Sequence, residues 1–204
     1  MPNLDRALTD IAAMRSQLAR STEFRGYGPV TLAATGAIAA TAAILQAWLL
    51  PAPATNVRAY LALWLVTAIV SVALIGVETV NRSQRVHSGL ANEMIMQAIE
   101  QFLPAAIAGI LLTLVMQWHA PEGLRLLPGL WQVILSLGVF ASCRSLPRPM
   151  IAVAVWYLAS GLACIAWASG QHAFSPVAMG LPFAVGQVLA AVLLQVDRGY
   201  HDAE

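Results

Sequence analysis

Two glutamines, Gln132 and Gln187, fall inside long apolar runs of this chain. A primary amide in hydrocarbon must find partners, because an unpaired polar group there is strongly disfavoured. With two donors and an acceptor oxygen, an amide can hold a small neutral molecule. Gln132 and Gln187 are therefore the candidate ligand-binding residues, lining a cavity together with Pro182, which removes a backbone hydrogen bond and kinks its helix. The plainer use of such groups is bonding between helices. Thr31, Thr35, Thr41, Gln46, Thr67, Ser71, Thr113, Ser136 and Ser160 are read in that way, at an average of about 0.6 kcal/mol per bond.

A second constellation lies in the polar stretch 78–101. Glu78 and Arg82 are four residues apart and suited to pairing, whereas Glu93 and Glu100 are seven apart and share one helical face. Met94, Met96 and Ile99 add apolar contacts. Glu78, Arg82, Glu93 and Glu100 are the candidate partner-binding residues. His119, Glu122 and His172 could converge on the outer face, and two imidazoles with a carboxylate can bind zinc. Their spacing matches no metal motif, so no metal site is expected.

Catalytic signatures are missing from the sequence. There is no glycine-rich phosphate loop, no Gly-x-Ser-x-Gly elbow and no His-Glu-x-x-His pair. All four histidines fall outside the apolar runs, which leaves no helix-borne haem ligand. Cys143 and Cys164 lie about 20 Å apart in depth at 1.5 Å per helical residue, too far for a disulfide, and are read as free, buried residues. The sequence points to no catalytic residue and no cofactor.

These side chains must be positioned by elements whose solvent is lipid. Of 204 residues, 59% are hydrophobic and 10% charged, where a soluble domain carries about 25% charged residues; mean hydropathy is +0.70. Six stretches, at about 30–50, 59–77, 102–118, 126–143, 150–168 and 174–196, are long enough to cross a bilayer. The expected fold is all-α: a polytopic membrane helix bundle of six transmembrane helices over 30–196, plus a short N-terminal amphipathic helix. Residues 1–29 form a cytoplasmic leader, 78–101 a cytoplasmic segment bent at Gly89, and 197–204 a cytoplasmic tail. In the leader, Leu4, Leu8, Ile11, Met14 and Leu18 recur at helical spacing, as in a helix lying at the membrane interface or against a partner. The polar stretch and the long apolar run that follows argue against a cleaved signal peptide.

All 11 cationic residues are arginines, and nine lie before the first span, in the second and fourth connections or after the sixth span, against two in the other three connections. Positive loops stay on the cytoplasmic side, which places both termini inside. With no lysine, no nucleic-acid surface is expected. Trp48, Tyr60, Trp64, Trp118 and Trp167 fall near the outer span ends, and Tyr27, Trp156, Tyr157 and Tyr200 near the inner ones, as an interfacial aromatic belt would. Trp131 is read as a packing residue. Small residues four apart at Gly138/Ser142, Ser160/Cys164, Gly180/Ala184 and Gly186/Ala190 suggest close packing of helices four to six.

Met14-Arg15-Ser16, the run Arg20 to Gly26, Phe102-Leu103-Pro104, Ala108-Gly109, Leu127-Pro128-Gly129-Leu130-Trp131, Leu137-Gly138, Gly180 and Gly186 together resemble a loose group of small uncharacterised bacterial inner-membrane proteins with an amphipathic leader and about six spans. The resemblance implies topology and a bacterial inner membrane, and no activity. The stretch 78–101 is more mixed in charge than the basic second loop of that group.

No span interior carries a charged residue, and intramembrane charges usually mark ion or proton paths. An ion pump is thereby disfavoured. The leading expectation is an integral membrane accessory or regulatory protein without catalytic activity, packing against a membrane-protein partner or itself within the lipid bilayer. The alternative is a carrier or binding protein for a small neutral or apolar molecule.

Overall fold

The computed structural model describes residues 28–86, 91–143, 146–167 and 172–202. The amphipathic leader, the bend at Gly89 and the side chains of Arg82 and Glu93 lie outside the described residues. The described residues form six long helices: α1 (Pro29–Leu49), α2 (Val57–Val86), α3 (Ala91–His119), α4 (Leu127–Ser142), α5 (Ile151–Trp167) and α6 (Pro176–Asp202). Short 3-10 turns precede α2, α4 and α5 at Pro53–Thr55, Pro121–Leu126 and Arg148–Met150. The apolar stretches these helices contribute are 20 to 25 residues long, enough for the roughly 30 Å of hydrocarbon. Alone, α4 has 16 residues, or about 24 Å at 1.5 Å each; the 3-10 turn before it supplies the remaining length.

Proline sets several of the starts. Pro29 follows the extended N-cap Gly28, and α6 opens on Pro176, positions where the missing N–H would be unpaired anyway. At the other ends, α2 and α3 run well past the apolar stretch. Much of the polar segment 78–101 is thus helical, as extensions of α2 to Val86 and of α3 back to Ala91. Pro104, in the first turn of a helix expected to begin at 102, is instead interior to α3.

The helices pack in a ring in which α1 lies between α2 and α6, α4 between α3 and α5, and the contacts α2–α3 and α5–α6 close the circuit. The two most extensive interfaces are α1–α6 and α4–α5. Glycine explains both, because it lets helix backbones approach. A Cβ on Gly36 of α1 would lie 3.1 Å from the Ala184 carbonyl oxygen of α6, and one on Gly180 of α6 would overlap the Ala43 methyl of α1. Between α4 and α5, a Cβ on Gly129 would lie 2.6 Å from the Gly161 carbonyl oxygen, and one on Gly161 would lie 2.8 Å from that of Gly129.

Close packing is therefore not confined to helices four to six. The Gly180/Ala184 pair faces α1, and Gly138 faces Phe102 and Ala105 of α3, where a Cβ would come within 2.7 Å of the Phe102 ring. The core has two parts. At the end that the arginine distribution leads one to expect outside, called the outer end, Ala39, Ala42, Tyr60, Leu61, Trp64, Leu127, Phe174 and Met179 pack together, with the Tyr60 and Phe174 rings edge to face at 4.9 Å. At the opposite end, called the inner end, Leu32, Met150, Val153, Tyr157, Ala190 and Leu194 form the second part.

The aromatic belt is smaller than the sequence suggests. Trp48, Trp118 and Trp167 are exposed at the outer ends, but Tyr60, Trp64 and Tyr157 are buried. Their positions near span ends do not distinguish an outward face from an inward one. Trp131 is a packing residue, half-buried against the outer core.

Candidate functional site

The interior polar groups are used in two ways. Thr35, Thr41, Thr67, Thr113 and Ser142 donate to carbonyls three or four residues back in their own helices, a local alternative that hydroxyls take readily. For Thr35, Thr41 and Thr67 the expected bonds between helices are thus bonds within their own helices, whereas Thr113 makes both kinds. Its Oγ1 also accepts from the Trp131 indole N–H at 2.9 Å, joining α3 to α4. Trp131→Phe is expected to lower stability by about 0.6 kcal/mol, the average for such a bond in a membrane, as measured by reversible SDS unfolding in micelles.

Two glutamines each bond to other elements. Gln46, fully buried near the outer end of α1, donates through Nε2 to the Phe174 carbonyl at 2.7 Å and accepts the Trp64 indole N–H at 2.8 Å. One amide thus ties α1 to α2 and to the turn before α6. Gln132, also fully buried, sits in α4 and donates to the Pro128 carbonyl at 3.0 Å and to the Ala178 carbonyl of α6 at 2.9 Å.

The Ala178 carbonyl has a particular need. In a helix it would accept from the N–H four residues on, which is residue 182, and Pro182 has none. Gln132 of α4 supplies one replacement donor, and the Cys164 thiol of α5, 3.3 Å away, supplies another. Gln132 Nε2 and Cys164 Sγ are themselves 3.5 Å apart. The Pro182 carbonyl in turn accepts the Trp156 indole N–H of α5 at 2.9 Å. A proline break inside hydrocarbon is tolerated when neighbouring helices take up its freed groups, and here α4 and α5 do so.

Around this break three buried polar atoms have no hydrogen-bond partner among the described residues: Gln132 Oε1, Ser136 Oγ and Tyr157 Oη. Ser136 is one turn beyond Gln132 on the same face of α4. Gly129 packs on Ile165 while Gly161 packs on Val133, so α4 and α5 run antiparallel and the Ser136 turn faces the Tyr157 turn. The Tyr157 ring lies on Gly186, where a Cβ would overlap it, and 5.4 Å from the Phe183 ring. Tyr60 Oη is likewise unpaired but belongs to the outer core.

Gln187 does not join Gln132. It is half-buried on α6, its Cβ 3.2 Å from where a Cβ on Gly36 of α1 would lie. Its side chain comes near the Tyr157 hydroxyl without hydrogen-bond geometry. Along α6 it is nine residues from Ala178, or about 13 Å.

The expected partner-binding residues are distributed along the inner ends of α2 and α3. The Glu78 carboxylate, half-buried, lies against Gly28 at the start of α1, where the helix dipole favours negative charge. Glu100 is exposed on α3, one turn before Pro104. At the outer end His119, Glu122 and His172 are exposed. Among the described residues no three His, Cys, Asp or Glu side chains gather as metal ligands, and Cys143 and Cys164 are free thiols.

Fold and site together define a multi-pass membrane helix bundle with a proline-broken helix capped from two neighbours. No protein family, no curated protein and no solved structure matches the chain.

Proposed function

We propose that this is an integral membrane accessory or regulatory protein, acting without catalysis through helix packing with a membrane-protein partner or a second copy of itself. The observation that carries this reading is the uneven burial of the spans. In the most apolar 18-residue stretch of α3 only 6% of residues are buried, against 39% in those of Pro121–Ser142 and Pro176–Asp197. α3 touches the bundle along the narrow stripe of Phe102, Ala105, Gly109 and Thr113, leaving Leu103, Ile107, Ile110, Leu111, Leu114 and Val115 exposed. Such a helix is free to pack in the plane of the membrane, while its inner extension carries Glu93 and Glu100 into the cytoplasm. The cytoplasmic position of both termini is supported by the arginine distribution, and the bacterial inner membrane by the resemblance of the leader and spans.

A second reading, a carrier or binding protein for a small neutral molecule, is favoured by the three unpaired polar atoms beside the Pro182 break. One experiment separates the two. The protein is extracted in mild detergent and weighed by native mass spectrometry, alongside a variant carrying Ile107→Trp and Leu111→Trp. The accessory reading expects a homo-oligomer or a retained protein partner in the wild type, reduced to monomer in the variant with no change in unfolding midpoint, since lipid tolerates bulky apolar residues and a tight interface does not. A wild-type monomer overturns it, and a monomer carrying a stoichiometric small molecule supports the carrier.

A further inference from the structure

We infer that α6 is hinged at Pro182 and that the Gln132 amide is the latch of the hinge. The two halves of α6 meet at a point where main-chain bonding is interrupted, and the nearby freed carbonyl is held by side chains of other helices: Gln132 Nε2 and Cys164 Sγ on Ala178. The Trp156 indole holds the Pro182 carbonyl itself. Side-chain donors exchange partners by rotation, which a main-chain ladder cannot do.

A second pairing is available to the latch. With Nε2 on Ala178, Gln132 Oε1 and the Ser136 hydroxyl are both buried and unpaired, one turn apart on the same face of α4. If the outer part of α6 withdraws, the Gln132 side chain is free to turn and accept the Ser136 hydroxyl hydrogen. The latched arrangement thus leaves polar groups unpaired that the released arrangement can pair, which makes two states of comparable free energy from one set of residues. Glycine contacts flank the break. Gly180 lies against Ala43 of α1 on one side of it and Gly186 against Tyr157 of α5 on the other.

The test is a distance across the hinge. Spin labels are placed at Val177 and Val196, both exposed on α6. The background carries Cys143→Ser and Cys164→Ser, the latter keeping a hydroxyl donor opposite Ala178. Pulsed electron paramagnetic resonance in lipid vesicles should show two distances in this protein. Gln132→Leu should raise the released population by about threefold, the factor that corresponds to the ~0.6 kcal/mol average of a membrane side-chain hydrogen bond. Pro182→Ala restores the N–H for Ala178 and should leave one distance. Adding Gln132→Leu to Pro182→Ala should change nothing further, since the amide is then not needed. A single narrow distance common to the starting protein and the Gln132→Leu variant overturns the inference and makes the break a fixed kink. A loosened double variant overturns it too, because Gln132 would then act through something other than the Ala178 carbonyl. Recovery of the folded state by the double variant guards against Gln132→Leu simply failing to fold.

Discussion

Replacing Gly129 by alanine is expected to remove about 3 kcal/mol of stability, at the upper end of what overpacking by small groups usually costs. The added methyl would lie 2.6 Å from the Gly161 carbonyl oxygen and 3.0 Å from the Ile165 backbone nitrogen. Both atoms are main chain and cannot turn aside as a flexible side chain can, so α4 and α5 must separate. Separation weakens one of the two most extensive interfaces in the bundle and pulls Gln132 away from Cys164 and Ala178. Gly161→Ala should act similarly, and the double variant should lose less than the sum, because helices already parted accommodate the second methyl cheaply. Gly76→Ala is the control: nothing lies within 4 Å of a Cβ there, and alanine is the better helix former. Reversible SDS unfolding midpoints provide the comparison. Equal midpoints for Gly129→Ala and wild type would show that α4 and α5 do not cross at these glycines.

Gln46→Leu is expected to cost nearly as much for a different reason. Leucine fills the space but leaves the Trp64 indole N–H and the Phe174 carbonyl buried without their partner, whereas the amide satisfies both. An unsatisfied buried group costs about 1–3 kcal/mol, so the pair together should cost about 3 kcal/mol, well above the ~0.6 kcal/mol average for a membrane side-chain bond. The same substitution made on Trp64→Phe should cost about half as much, since only the Phe174 carbonyl is then orphaned. An undiminished loss would show that the indole contributes nothing to the latching of α1 to α2.

What could be read from the sequence divides along physical lines. The six spans were legible because lipid imposes a run of some twenty apolar residues bounded by arginine or proline, a pattern that needs no knowledge of neighbours. Helix ends were less so. α2 and α3 continue through polar residues from 82 to 86 and from 91 to 98, where hydropathy no longer reports the helix. Which face of each helix turns inward is mostly hidden, since apolar residues meet both lipid and core in a membrane; hence the positions of Tyr60, Trp64 and Tyr157 fit a belt although the side chains are buried, and Gly36 carries no signal of its contact with α6.

Gln132 stood out because an amide is conspicuous among leucines and valines. Its bond to Ala178, 46 residues on, depends on the packing of α4 against α6. A partial signal did exist: a proline inside a predicted span always frees the carbonyl four residues earlier, and the nearest buried amide is the natural donor. Gln46 carried no comparable signal, as nothing in the sequence pairs it with Trp64 or the turn at Phe174. The stretch 78–101 illustrates the opposite limit, since its charges mark an aqueous segment but charge alone names no partner.

The contact between α1 and α6 bears on how the chain is made. α1 is finished when residue 49 has been added, yet its principal neighbour is complete only at residue 202. At about 5–20 residues per second the ribosome takes roughly eight to thirty seconds to supply that neighbour. Throughout this interval Gly36 and the rest of the α6-facing stripe of α1 meet lipid, the insertion machinery or α2 in place of α6. The contacts between consecutive helices, α4–α5 above all, can form as the chain is made, and the ring closes last at the seam between its earliest and latest described helices.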